Sequence, residues 1–160
     1  MKQRICLVLI SVILLFSFYN NSFSQEIPKL KIYNIENEIS MVFEKSIKAG
    51  EALNIEEITA PINDSLKAGF IDNGNYFSSF DELMVGFKKG VQGLEYQKMN
   101  IETKKITVLS EKHALLTTHG NYSTKVVDGR VLTGKFAWSF VYAKINGSWK
   151  VIHSHMSNPR

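Results

Sequence analysis

The chain has 160 residues, of which 44% are hydrophobic, 11% aromatic and 21% charged, with a net charge of +4. That composition excludes a disordered, collagenous or low-complexity chain and suits one domain with its own core. A single cysteine excludes an internal disulfide.

The first segment reads as an address rather than as structure. Lys2 and Arg4 form a positive start, the run from Ile5 to Tyr19 is almost wholly apolar, and Ser22-Phe23-Ser24 places small residues where a signal peptidase cuts. This pattern predicts a secretory signal over residues 1–24, removed before Gln25, and a periplasmic or secreted protein with no stable membrane anchor after cleavage. A spanning helix needs about 20 apolar residues, and this run is shorter. The expected domain, 25–160, then has 136 residues, no cysteine, and 17 basic against 15 acidic residues. At +2 its field is weak, so no nucleic-acid partner is expected.

Within the domain, apolar residues at 32, 35, 39, 42, 43 and 47 keep helical spacing, and Gly50 is a natural stop. A short helical piece over 54–59 ends before Pro61. A short strand over 66–73 leads into the turn Asn73-Gly74-Asn75. Ser79-Phe80-Asp81-Glu82 fits a capping box, and Phe80, Leu83, Met84, Phe87 and Val91 continue it at helical spacing up to Gly90. After Gly93 the pattern becomes strands, over 96–109, 113–125, 131–144 and 148–157. Asp128-Gly129 and Asn146-Gly147 are dipeptides favoured in two-residue hairpin turns, and Glu111-Lys112 is a third turn. Helices followed by an antiparallel meander imply an α+β fold, a curved antiparallel sheet wrapped around N-terminal helices and enclosing a conical pocket.

Phe136-Ala137-Trp138-Ser139-Phe140-Val141-Tyr142 runs into Asn146-Gly147-Ser148-Trp149-Lys150-Val151-Ile152-His153-Ser154-His155-Met156-Ser157. This hairpin resembles the closing hairpin of SnoaL-like proteins of the nuclear transport factor two-like superfamily, with their cystatin-like fold. It is also similar to the association domain of calcium/calmodulin-dependent kinases. The resemblance implies a cone-shaped fold, a pocket and a homodimer. It leaves activity open, because the superfamily holds isomerases, cyclases, dehydratases, binding modules and assembly domains.

Two-residue turns at both dipeptides would set Ile145 against Ser148, Trp138 against His155, and His119 against Trp138. His119, Trp138 and His155 would then form one row on the pocket face, with Phe140, Tyr142 and His153 beside them. Three histidines so placed have the chemistry of a zinc site, but Trp138 stands between them in this register, and no metal or other cofactor is assigned. Asp72, His119 and His155 are the candidate catalytic residues, as a carboxylate and imidazoles tuned by an apolar pocket. Tyr76, Trp138, Phe140, Tyr142 and His153 are the candidate ligand contacts.

Three functions fit this reading. The first is a module binding a small, largely apolar molecule, with no demonstrated catalysis. The second is a cofactor-free isomerase, dehydratase or cyclase using the Asp/His set. The third is an oligomerisation module with a vestigial pocket.

Overall fold

The computed structural model describes residues 26–158. The expected signal over 1–24 lies outside the described residues. Among the described residues, no helix is long and apolar enough to cross a membrane.

Helix α1 spans Lys29–Glu51 and buries Ile35, Ile39, Phe43 and Ala49 along one side. It begins earlier than its apolar spacing suggests, because the Pro28 carbonyl accepts from the N–H groups of Lys31 and Ile32. It also passes through Gly50, and the left-handed residue after it is Leu53, at φ 54°. The end is held by the sheet: the Glu51 carboxylate accepts from the Met99 N–H at 2.9 Å. A carboxylate there satisfies a donor on an edge strand that has no further strand to pair with. Helix α2 spans Ile55–Thr59, with the Asn54 side chain accepting from the Glu57 N–H as its cap.

The expected strand at 66–73 is shorter. Strand β1 is Phe70–Asp72, and Asn73-Gly74, both at positive φ, turns it into β2, Asn75–Phe77. Helix α3 is Phe80–Val91. Its cap is the expected one at Ser79, whose hydroxyl accepts from the Glu82 N–H, but Glu82 reaches back to Ser78 rather than to Ser79. Strands β3 (Leu94–Ser110), β4 (His113–Val126), β5 (Val131–Ile145) and β6 (Ser148–Ser157) follow as an antiparallel meander.

The sheet has six strands in the order β2-β1-β6-β5-β4-β3, and β1 lies parallel to β6. It is therefore mixed, where the meander alone implied a purely antiparallel sheet. Helix α1 packs Ile35, Ile39 and Phe43 against Ala114, Leu116, Tyr142, Trp149 and Val151 on its inner face. Gly120 is required there, because a Cβ would run into the Asn100 carbonyl and the Phe136 ring.

Two irregularities set which residues face inward. The Asp128 hairpin has a three-residue loop: the Gly129 N–H donates to Val126 O, the Val126 N–H donates to Arg130 O, and Gly129 takes φ 88°. That is a turn closed by a glycine bulge. It pairs Thr118 with Trp138 and His119 with Ala137, one residue from the expected register. In β6 the Asn146-Gly147 turn is as expected, and Ile145 faces Ser148 and Tyr142 faces Val151. An extra residue, Ile152, then shifts the ladder so that Val141 faces His153 and Trp138 faces Met156. Each slip moves histidines across the sheet, because side chains alternate faces.

Candidate functional site

The inner face carries the cavity. Its volume is about 1020 Å³, bounded by the sheet, by Phe43 and Ile47 of α1, by Ile58 of α2 and by Phe87 and Val91 of α3. Trp138, Phe140 and Tyr142 line it, as expected from the sequence, and so does Asp72. Burial pushes the Tyr142 hydroxyl far above the usual phenol range, so it stays a neutral donor.

Asp72 is placed by the β1–β6 pairing. Asp72 sits beside Met156, Met156 beside Trp138, and Trp138 beside Thr118, in one inward row across four strands. Burial raises the Asp72 pKa above the usual carboxylate value, and no hydrogen bond or charge works against that shift. The Trp138 ring is fixed from two sides. It stacks on Phe136 at 4.2 Å between centroids, and its Nε1–H donates to Asn158 Oδ1 at 3.0 Å. Asn158 is held in turn, its backbone N–H donating to Asn73 Oδ1 at 2.7 Å. Asn73, Met156 and Asn158 are members of the site that the sequence reading missed. Only the polar pair flanking the strand ends hinted at them.

The remaining candidates are elsewhere. The expected row His119–Trp138–His155 does not form. His119 and His155 share a face with each other, but it is the outer face, opposite Trp138. There they border a shallow groove with Thr117, Ala137 and Ser139. His119 Nδ1 lies 3.4 Å from Glu102 Oε2. Asp72 is thus not brought together with either histidine. His153 is also on the outer side of β6, and its Nδ1–H donates to the Gly69 carbonyl at 2.8 Å, fastening the chain before β1 to the sheet. Tyr76 is on the outer side too, exposed, with its ring over Gly69. Among the described residues, no three His, Cys, Asp or Glu side chains converge in a metal-ligand arrangement.

In chemical terms the cavity offers aromatic and aliphatic surface, one carboxyl and neutral hydrogen-bonding groups. It suits an apolar molecule, and it holds one candidate proton acceptor.

Known proteins place this fold. The SnoaL-like domain matches residues 39–160. No curated protein matches the sequence. A nuclear transport factor 2-like superfamily protein from Salmonella enterica serovar Typhimurium is similar in structure, at TM-score 0.71 and 16% identity, covering 81% of this chain and 94% of that one. A hexachlorocyclohexane dehydrochlorinase is similar at TM-score 0.69 and 10% identity, covering 83% and 90%. A proposed calcium/calmodulin-dependent protein kinase II association domain from Xanthomonas campestris is similar at TM-score 0.66 and 16% identity, covering 76% and 86%. At such identities these likenesses show the fold alone, and their names span an enzyme and an assembly domain. With the domain match covering most of the chain, the protein belongs to the SnoaL-like domain family.

Proposed function

We propose that this protein binds a small, largely apolar molecule in the cavity between α1, α3 and the sheet. The observation that carries this reading is an aromatic-lined space of about 1020 Å³ containing a single carboxyl, Asp72. A core that served only for stability would be filled by its own side chains, since interiors pack like crystals. The test is titration with a neutral aromatic probe, 2-naphthalenemethanol, followed by calorimetry and tryptophan fluorescence. Saturable binding that Trp138→Ala weakens about tenfold supports the reading, as loss of a stacking aromatic does. No binding at millimolar concentration, by this probe or by its amine and carboxylate counterparts, overturns it.

The raised Asp72 pKa favours a second reading, in which the site is an enzyme and Asp72 alone is the acid–base group. The two histidines are not in the cavity, so this version drops them. Exchange of the acidic C–H of 2-tetralone into heavy water, followed by NMR, tests it. Catalysed exchange lost in Asp72→Asn supports the enzyme; exchange at the buffer rate removes it.

The outer face suits a second copy of the chain, with Ile71, Thr117, Ser139 and Val141 forming a low surface. Sedimentation at micromolar concentration showing a dimer supports that contact, and a monomer removes it. Export through residues 1–24 is tested by N-terminal sequencing of the protein made in its host, which should begin at Gln25.

A further inference from the structure

We propose that the ligand of the cavity is an organic amine, an apolar body carrying one protonated nitrogen, with the ammonium held between the Asp72 carboxylate and the ring of Trp138. This rests on the reading of the cavity as a ligand site. It goes further by assigning the charge and chemical class of what enters.

The argument starts from the charges around the space. Among the described residues lining the cavity, Asp72 is the only one with a formal charge, and no Lys, Arg or His is present. Two sheet cations beside α1 are committed outside: Lys144 donates to Glu38 at 2.8 Å and Lys104 to Glu44 at 2.7 Å. An anionic ligand would therefore find no counter-charge and would meet Asp72, in a setting where unscreened charge is costly. A neutral ligand would leave Asp72 as it stands, half-buried and without a cationic partner. An ammonium removes that cost by supplying the missing cation and donors.

The neighbouring groups fit a cation as well. Asp72 and Trp138 lie on either side of Met156 in the same inward row. Two strand spacings separate them, about 10 Å between backbones, with the Met156 side chain between, so a nitrogen reaching both would sit in the cavity above the Met156 thioether. The Trp138 N–H is already used by Asn158, so Trp138 offers the ligand ring surface and not a donor. Ring surface attracts ammonium groups through its negative face. Phe140, edge-on to Trp138 at 6.1 Å, extends the aromatic wall for the ligand body.

Three probes with one naphthalene body separate the outcomes: 2-naphthylmethylamine, 2-naphthalenemethanol and 2-naphthoate, titrated by calorimetry at neutral pH. The amine should bind at least about tenfold more tightly than the alcohol, the gain expected of a charge-assisted contact next to an aromatic face. Naphthoate should bind most weakly. In Asp72→Asn the preference of amine over alcohol should vanish, and in the native chain it should fade as the pH is lowered through the Asp72 pKa. An alcohol that binds as tightly as the amine overturns the inference while leaving the ligand site intact. So does an amine preference that survives Asp72→Asn. Absence of binding by all three overturns both readings together.

Discussion

Two of the helices that wall the cavity, α1 and α3, are built differently. Helix α1 is fixed along its length. Four of its residues are buried, and its carboxylates reach three strands: Glu38 accepts from Lys144 on β5 and from Trp149 on β6, Glu44 from Lys104 on β3, and Glu51 from the Met99 N–H. Helix α3 buries only Leu83. It is tied at its first turn, where Ser79 caps it and the Phe80 N–H donates to Asp64 Oδ2 at 3.0 Å. Its second half carries Gly86 and Gly90, and both glycines border the cavity with Phe87. One wall thus belongs to the core, while the other is an appendage held at its two ends, at Ser79 and Phe80 and where the Val127 N–H donates to the Gly93 carbonyl. Stability and access to the cavity are therefore separable by mutation.

The strongest way to break this contrast is on the α1 side. Trp149 is buried, and its Nε1–H donates to Glu38 Oε2 at 2.6 Å. Trp149→Ala should cost about 3–5 kcal/mol, the usual loss for a large buried aromatic. It should lower the whole unfolding transition in denaturant. A loss below about 1 kcal/mol would mean that α1 is not the fixed wall, since surface changes are of that size.

On the α3 side the effect should be smaller and local. Leu83 is 1% exposed, and Leu83→Ala should cost about 2–3 kcal/mol, the low end for a buried leucine. Hydrogen exchange should speed up in α3 while the amides of α1 keep their protection. Equal acceleration in both helices would show a single cooperative unit. Gly90→Ala sharpens the same contrast from the opposite direction. A Cβ at Gly90 meets nothing within 4 Å, and alanine should stabilise α3 by up to about 1 kcal/mol through helix propensity. Slower exchange confined to α3 is the expected result.

The smallest effect belongs to the site itself. The Asp72 pKa is raised in the folded chain, so its favourable contribution is complete below the ordinary value of 3.8 and is lost as pH rises through the folded value. Asp72→Asn should therefore raise stability at neutral pH and leave it unchanged in strong acid. The gain should stay under about 1 kcal/mol, because the side chain keeps part of its hydration. A loss of stability at neutral pH would show that the carboxylate has a protein partner.

Much of this architecture was legible from residue spacing. Ile35, Ile39 and Phe43 marked the buried side of α1, Ser79 the start of α3, and Asn146-Gly147 a two-residue turn. Trp138, Phe140 and Tyr142 were correctly set in the cavity, and Asp72 with them. The histidines were not, for a physical reason. Asp-Gly serves a two-residue turn and a three-residue loop equally well, and the hydrogen bonds that choose between them involve Val126 and Arg130. The extra residue in β6 has no local mark either, since Val151 and Ile152 are both apolar and both buried. Asn73 and Asn158 meet only because β1 runs parallel beside β6, a pairing between segments 85 residues apart.

The bulge at Ile152 acts as a parity switch for everything downstream in β6. Beyond it, Ser154 and Met156 face the cavity and His153 and His155 face outward. Were the bulge lost with Ile152 kept in the ladder, Phe140 would face His153 and Trp138 would face His155: two imidazoles would enter the chamber, and a hydroxyl and a thioether would leave it, whereas deleting Ile152 would keep the present faces. The interior alphabet of this cone is thus set by one choice of register and not by residue identity alone. Alternation along a strand makes such a jump possible, and a hairpin anchored at Asn146-Gly147 would let the rest of the ladder survive it.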